Sequence, residues 1–483
     1  MAPRRVKSLP LAVALASAAA APAGAAEAPK AEFAASCDVA GASRAAKCGI
    51  VRVAEDRSRA GGRQLALAFT LVPGDRSAER RDPILVIPGG PGQSGALVLP
   101  LLMADLRAIA GGRDILFLDQ RGTGGSNPLD CKDGFEVLNK GPGSSELAAC
   151  LAALNARADL RHYGSAEAVE DIDAVRGALG YERINLVAAS YGVRVASAYM
   201  RGHPERVRTA LLRAAYAPDY NILRDGIGNA DAELGRVLDE CKADRSCGAA
   251  FPRLEARLNA LDERLAKTPA RIEVDHPGGG KEEIRIGREL FQQMLYAMLL
   301  AAPTRQMLPA MIDTASRRGF QPLAPLVVGV RDALYGTLPV GMYLSVVCNE
   351  DSARLRREDL PRGRTPLTEA PGTIFNICAA WPQRSAPASL FGPLNVAVPT
   401  LILSGTLDPA TTVEAANRLA AMLPRARHIV FEATAHGPFI PGCAVKEVAG
   451  FVESASPEGA VPNCSALKLA PFTLPARPVL RQE

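Results

Sequence analysis

The feature that most constrains this chain is Ile184-Asn185-Leu186-Val187-Ala188-Ala189-Ser190-Tyr191-Gly192-Val193, an apolar strand that passes through a serine into an alanine-rich, helix-compatible segment. A strand–serine–helix turn of this kind forces the serine into a strained backbone conformation. The positions two before and two after it must then be small, as Ala188 and Gly192 are. A serine hydroxyl is a poor nucleophile near neutral pH unless a base is held against it. The pattern therefore points to a covalent serine mechanism, and the rest of the chain must supply a base, an orienting acid and an oxyanion stabiliser.

The acid and base are read from strand ends. Asp408 follows Thr400-Leu401-Ile402-Leu403 through Ser404-Gly405-Thr406-Leu407, where sites in open α/β sheets gather. An aspartate there could also serve as a turn or cap residue before the helix around Val413 to Met422. His436 lies beyond the apolar run His428-Ile429-Val430-Phe431, in Ala433-Thr434-Ala435-His436-Gly437-Pro438. Of the five histidines it alone follows the candidate acid at a strand end, which completes the order Ser…Asp…His. For the oxyanion, Pro88-Gly89-Gly90-Pro91-Gly92 follows the strand Ile84 to Ile87, and paired glycines free backbone N–H groups. One donor is assigned to Gly90 and the other to Tyr191. A phosphate loop is a poor alternative, because no Gly-Lys-Ser/Thr follows.

The short apolar runs Ile84–Ile87, Ile115–Leu118, Ile184–Ala189, Thr209–Leu212 and Thr400–Leu403 alternate with helical patterns such as Ala166 to Leu179. There Val169, Ile172 and Val175 share a face and Gly180 offers a stop. This alternation predicts an α/β fold, a mostly parallel sheet with helices on both faces. Between about Asn229 and Arg318 the pattern changes to long amphipathic helices, interrupted by glycines at 278–280. The expected organisation is a first core segment over 37–216, an inserted mainly helical cap over 217–390, and a second core segment over 391–475.

Residues 1–25 read as an export signal. Arg4, Arg5 and Lys7 precede the apolar stretch Leu9 to Ala20, and Ala23-Gly24-Ala25 offers small residues for cleavage. Three cations taken from the formal charge of +5 leave +2, no electrostatic footprint for nucleic acid or an anionic membrane. Met294 to Met307 is too short to span a bilayer, so no stable membrane insertion is expected after signal removal. Ten cysteines in an exported chain favour disulfides. Pairing near neighbours gives Cys37/Cys48, Cys131/Cys150, Cys241/Cys247, Cys348/Cys378 and Cys443/Cys464, although spacing alone leaves connectivity open. No paired Cys-x-x-Cys or histidine ligand spacing supports a metal site.

Taken together, Pro-Gly-Gly-Pro-Gly-x-Ser-Gly at 88–95, Asp119-Gln120-Arg121-Gly122-Thr123-Gly124-x-Ser126, Ala-Ser-Tyr-Gly-x-Arg194, Leu403-Ser404-Gly405-x-x-Asp408-Pro409, Ala435-His436-Gly437 and Cys378-Ala379-Ala380-Trp381-Pro382 resemble the proline iminopeptidase and tripeptidyl aminopeptidase family of α/β-hydrolases, from about Cys48 to Cys464. The resemblance implies an exported serine hydrolase that releases residues or short peptides from free N-termini, with no metal or organic cofactor. It implies Ser190 as nucleophile, His436 as base and later acid, Asp408 as the group holding the imidazole tautomer, and the Asp119-Gln120-Arg121 turn as a buried structural corner. The insertion would act as a lid.

Three features depart from the family or refine it. Ala188 replaces the usual glycine. Leu212-Arg213-Ala214 stands where relatives often carry Leu-Asp-Gly, an exchange of acid for base that could alter which substrate ends are accepted. Recognition of an amino terminus requires pocket carboxylates, for which Glu350 and Asp351 beside Cys348 are the candidates, a solvated acidic loop being the competing reading. A carboxylesterase acting on small esters with the same triad is the alternative within enzymes, and a non-catalytic binding module the alternative outside them.

Overall fold

The computed structural model describes residues 29–34, 37, 46–76, 79, 81–132, 134–275, 280–335, 338–437, 440–460, 462–464 and 467–475. The leader expected at 1–25 lies outside these residues, as does His276. Eleven strands are present among them: β1 Ala31–Phe33, β2 Lys47–Ala54, β3 Gln64–Val72, β4 Ile84–Ile87, β5 Ile115–Leu118, β6 Ile184–Ala189, β7 Val207–Arg213, β8 Ala270–Asp275, β9 Lys281–Ile286, β10 Thr400–Gly405 and β11 Ala426–Phe431. Nine form one sheet in the order β1-β2-β3-β5-β4-β6-β7-β10-β11. The first three run antiparallel along one edge, and β5, β4, β6, β7, β10 and β11 are parallel.

The parallel strands are apolar throughout because both faces are covered, yet they still sort their side chains by parity. Leu85, Ile87, Leu116, Leu118, Leu186, Ala188, Leu212 and Ile402 join one core, against Val169, Ile172 and Val175 of the helix Ser165–Ala178 and Val193, Val195 and Tyr199 of the helix Tyr191–Gly202. Ile84, Val86, Ile115, Phe117, Val187, Leu211, Leu401 and Leu403 join the opposite core, with the helices Gly95–Ala110 and Val445–Ser454. Each such buried aliphatic side chain is worth roughly 1.5–3 kcal/mol.

Between β7 and β10 the chain builds a second core from the helices Ile227–Ala243, Leu254–Lys267, Arg288–Leu299 and Leu308–Arg318. The sequence expectation of helices interrupted by a glycine turn needs correction here. β8 and β9 pair antiparallel as a hairpin, from Ala270 opposite Ile286 to Asp275 opposite Lys281. Ile272, Ile284 and Ile286 face the helices while Arg271, Glu273, Glu283 and Arg285 face solvent, an alternation of period two that the surrounding helical pattern obscures.

Cys37–Cys48, Cys131–Cys150, Cys241–Cys247, Cys348–Cys378 and Cys443–Cys464 are disulfides, and there is no free cysteine among the described residues. No helix among those residues is long and apolar enough to cross a membrane.

Candidate active site

Ser190 follows β6 directly and has φ 54° and ψ −126°, while the next residue begins the helix Tyr191–Gly202. A non-glycine residue held there stores about 1–3 kcal/mol of backbone strain. Close packing enforces the turn. A Cβ at position 192 would lie 2.3 Å from the Ile87 carbonyl oxygen and 2.7 Å from that of Pro88, so only glycine fits. On the other side, the Ser190 N–H donates to the Arg213 carbonyl at 3.1 Å, tying the nucleophile to the end of β7.

Asp408 and His436 leave the sheet at the same end, beyond β10 and β11. His436 Nδ1 lies 3.0 Å from both carboxylate oxygens of Asp408. Asp408 Oδ1 also accepts from the N–H groups of Ala410 and Thr411, both at 2.9 Å, and Oδ2 accepts from Thr411 Oγ1 at 2.9 Å. Asp408 is therefore not the cap of the following helix; Thr412 takes that role for Val413–Ala420. Burial pushes the Asp408 carboxyl up, but His436, Arg213 and the Thr411 N–H outweigh it and hold the group below the usual range. An ionised carboxylate only accepts, so Nδ1 carries the proton and Nε2 keeps the lone pair that a base needs. The side-chain hydrogen bonds of His436 go to Asp408 and none joins it to Ser190 among the described residues, a contact that commonly tightens only with substrate bound.

Ser190, Tyr191 and Gly90 line one cavity of about 270 Å³. Gly90, at φ 109°, adopts a backbone conformation that suits glycine. Tyr191 is the first residue of its helix, where backbone N–H groups lack intrahelical partners. Tyr216, Tyr220, Tyr296, Tyr343, Leu338 and Ile374 supply much of the wall. Glu289, in the first turn of the helix Arg288–Leu299, is the one charged residue among the described residues lining it. Nothing in the sequence singled out Glu289, because an acid in the first turn of a helix is ordinary stabilisation of the helix end.

Glu350 and Asp351 occupy a different place from the one expected. Both are buried, at 1% and 0% exposure, so they are not a solvated loop, and neither lines the cavity. Arg194, on the helix that begins after Ser190, meets Glu350 Oε2 at 3.0 Å and both Asp351 oxygens at 2.9 Å. Glu350 also accepts from the Ser165 N–H at 2.5 Å and from the Ser165 hydroxyl at 2.8 Å, and that hydroxyl lies 2.9 Å from the Tyr191 hydroxyl. Burial raises the Glu350 carboxyl, with Arg194 and Ser165 opposing. The pair thus braces the wall behind Tyr191 from the turn that follows the helix Val340–Val346, which Cys348–Cys378 ties to the helix Ala370–Ala380.

Arg213, expected to touch substrate ends, is likewise buried and outside the cavity lining, lying beside Asp408. The Asp119-Gln120-Arg121 corner is buried as well. Asp119 accepts from the N–H groups of Ala96 and Gly125, and Arg121 forms a two-point ion pair with Asp171 at 2.6 and 2.7 Å.

Comparison with known proteins agrees with this architecture. Residues 82–267 match the alpha/beta hydrolase fold family and residues 369–464 match the TAP-like protein family. The chain is 26% identical over 419 residues to a tripeptidyl aminopeptidase of Streptomyces lividans, covering 77% of this chain and 74% of that one. It is 25% identical over 442 residues to the serine protease Hip1 of Mycobacterium tuberculosis, covering 81% of each. A putative hydrolase of Escherichia coli, YuaR, is 32% identical over 151 residues, 30% of this chain and 29% of its own. A sheet of this topology, an alpha/beta hydrolase match through the elbow and a TAP-like match through the final strands show an α/β-hydrolase fold, in a chain similar over most of its length to the tripeptidyl aminopeptidases.

Proposed function

We propose that this chain is an exported serine aminopeptidase that releases N-terminal residues or short peptides through an acyl-enzyme on Ser190. The observation that carries the reading is the His436–Asp408 pair, 3.0 Å to both oxygens, at the same sheet end as a serine held at φ 54°. In this reading Ser190 Oγ attacks the scissile carbonyl and His436 Nε2 takes its proton. The N–H groups of Gly90 and Tyr191 receive the oxyanion, and the imidazolium passes its proton to the departing amine. Water, deprotonated by the same nitrogen, then attacks the acyl-enzyme and frees Ser190.

The preference for a free amine is supported by Glu289, the one charged side chain among the described residues lining the cavity, rather than by Glu350 or Asp351. Export is supported by the basic and apolar leader and by five disulfides. The apolar, tyrosine-rich wall favours a second reading, a carboxylesterase using the same three residues.

The test is hydrolysis of a panel by the wild type and Ser190→Ala. It would hold a proline amide, an alanyl-prolyl tripeptide amide, the N-acetylated copy of that tripeptide, and a short-chain ester. Cleavage of the free-amine peptides, lost on acetylation and in the variant, supports the aminopeptidase. Ester cleavage without peptide cleavage moves the assignment to the esterase.

A further inference from the structure

Arg213 ends β7, the strand between those that carry Ser190 and lead to Asp408; its backbone pairs with Ala189 on one side and Leu403 on the other. Its carbonyl accepts the Ser190 N–H at 3.1 Å. Its side chain, 1% exposed, turns toward the other two members of the constellation. Nη2 donates to the carbonyl of Ala435, the residue before His436, at 2.7 Å, and Nη1 lies 3.9 Å from Asp408 Oδ2. One residue therefore touches the nucleophile's backbone, the orienting acid and the loop that carries the base.

We infer that Arg213 is a positioning residue for the reaction: its guanidinium clamps the His436 loop against Asp408, and its fixed charge sets the acid limit of activity. The inference rests on the reading of Ser190, Asp408 and His436 as a triad. The titratable and charged groups facing Asp408 are His436 from the loop after β11, Arg213 from β7, Tyr220 from the segment after β7, and Tyr296 from the helix Arg288–Leu299. Burial raises both phenols, which stay neutral across the working range. Burial pulls the Arg213 guanidinium down and Asp408 opposes the shift; an arginine so placed is the cation of the set, and at that depth its charge is poorly screened. A cation beside the carboxylate repels a second positive charge on the imidazole, so removing the Arg213 charge is expected to move the acid side of the activity profile to higher pH. An arginine serving only to cap a loop would leave that limb where it is.

The experiment measures kcat and KM against pH with a p-nitrophenyl ester, after each protein has been challenged with a fluorophosphonate. A wild type that is not labelled at Ser190 removes the triad reading itself, a failure separate from any result on Arg213. With labelling present, Arg213→Gln keeps a donor for Ala435 and loses the charge. Its acid limb is expected to rise by about half a pH unit or more, kcat to fall about tenfold, and KM to change less than about threefold. Arg213→Lys keeps the charge without the planar fork, and is expected to hold the wild-type acid limb while kcat falls. A folded Gln variant whose acid limb stays within about 0.2 unit of wild type overturns the inference. If circular dichroism shows that the Gln variant does not fold, the Lys variant decides alone. A reduced kcat with an unmoved limb supports the clamp, and full kcat or a raised limb overturns it.

Discussion

Arg194 and Asp351 form a two-point ion pair with both contacts at 2.9 Å and neither side chain open to solvent. With Glu350 at 3.0 Å, one guanidinium balances two buried carboxylates directly behind the wall of the cavity. Arg194→Met would leave Glu350 without its cation and Asp351 with only Arg354 Nη2, 3.5 Å from Oδ1. A loss of about 3–5 kcal/mol is expected, read as a lowered midpoint in urea. Combining it with Glu350→Gln and Asp351→Asn should recover part of that loss, since the stranded charges cause it. Additive behaviour across the three substitutions would contradict this coupling.

Gly192 tests the elbow. Its missing Cβ would collide with the carbonyl oxygens of Ile87 and Pro88, which belong to the backbone and have no room to retreat. Gly192→Ala should displace β4 from the elbow, lowering the thermal midpoint and cutting activity by more than tenfold. Gly202→Ala, at the other end of the same helix with open space around it, is the control and should be tolerated. Comparable behaviour of the two variants would argue against the packing account.

His428 bridges β10 and β11 as a neutral group, with Nδ1 2.8 Å from Asn417 Oδ1 and Nε2 2.8 Å from Ser404 Oγ. Burial pushes it down to about 4. Because the folded value lies below the unfolded one of about 6.5, the contribution of the neutral ring is fully present above that pH. It is then lost progressively as pH falls toward 4. Urea titrations at pH 7.5 and pH 5 should show a smaller pH dependence for His428→Gln than for wild type. An identical dependence in both proteins would remove His428 from the account.

Glu289→Gln tests amine recognition. The substitution keeps the shape of the cavity wall and removes the charge that would meet a substrate ammonium. KM for a free tripeptide amide is expected to rise about tenfold, while ester hydrolysis changes little. Equal effects on both substrates would mean that Glu289 supports the fold rather than the substrate.

Much of this architecture is legible in the sequence because its signals are local. The helix over Ser165–Ala178 shows its buried face as Val169, Ile172 and Val175 at helical spacing, and Gly180 at φ 73° lies just beyond its end. Ser190, Asp408 and His436 each sit just past an apolar run, so chain order alone brings them to one end of the sheet. The five disulfides join near neighbours in the chain. What escapes is tertiary. The roles of Arg213 and Glu350 depend on what stands opposite, 195 positions away at Asp408 and 156 away at Arg194 for the two contacts, and no local pattern encodes either meeting. Glu289 is hidden for the opposite reason, since its local pattern has a sufficient explanation that is not the functional one. The β8–β9 hairpin is missed because its six-residue strands lie inside a long helical context.

The central claim is that Ser190 is a covalent nucleophile served by His436. Its most direct test is intact-mass and peptide-mapping spectrometry of the protein treated with a fluorophosphonate, for wild type, His436→Gln and Asp408→Asn. One adduct per wild-type chain, located on Ser190, is expected, with labelling slowed by more than a hundredfold in His436→Gln and also slowed in Asp408→Asn. An adduct at another residue, or labelling of Ser190 at an unchanged rate without His436, would contradict it.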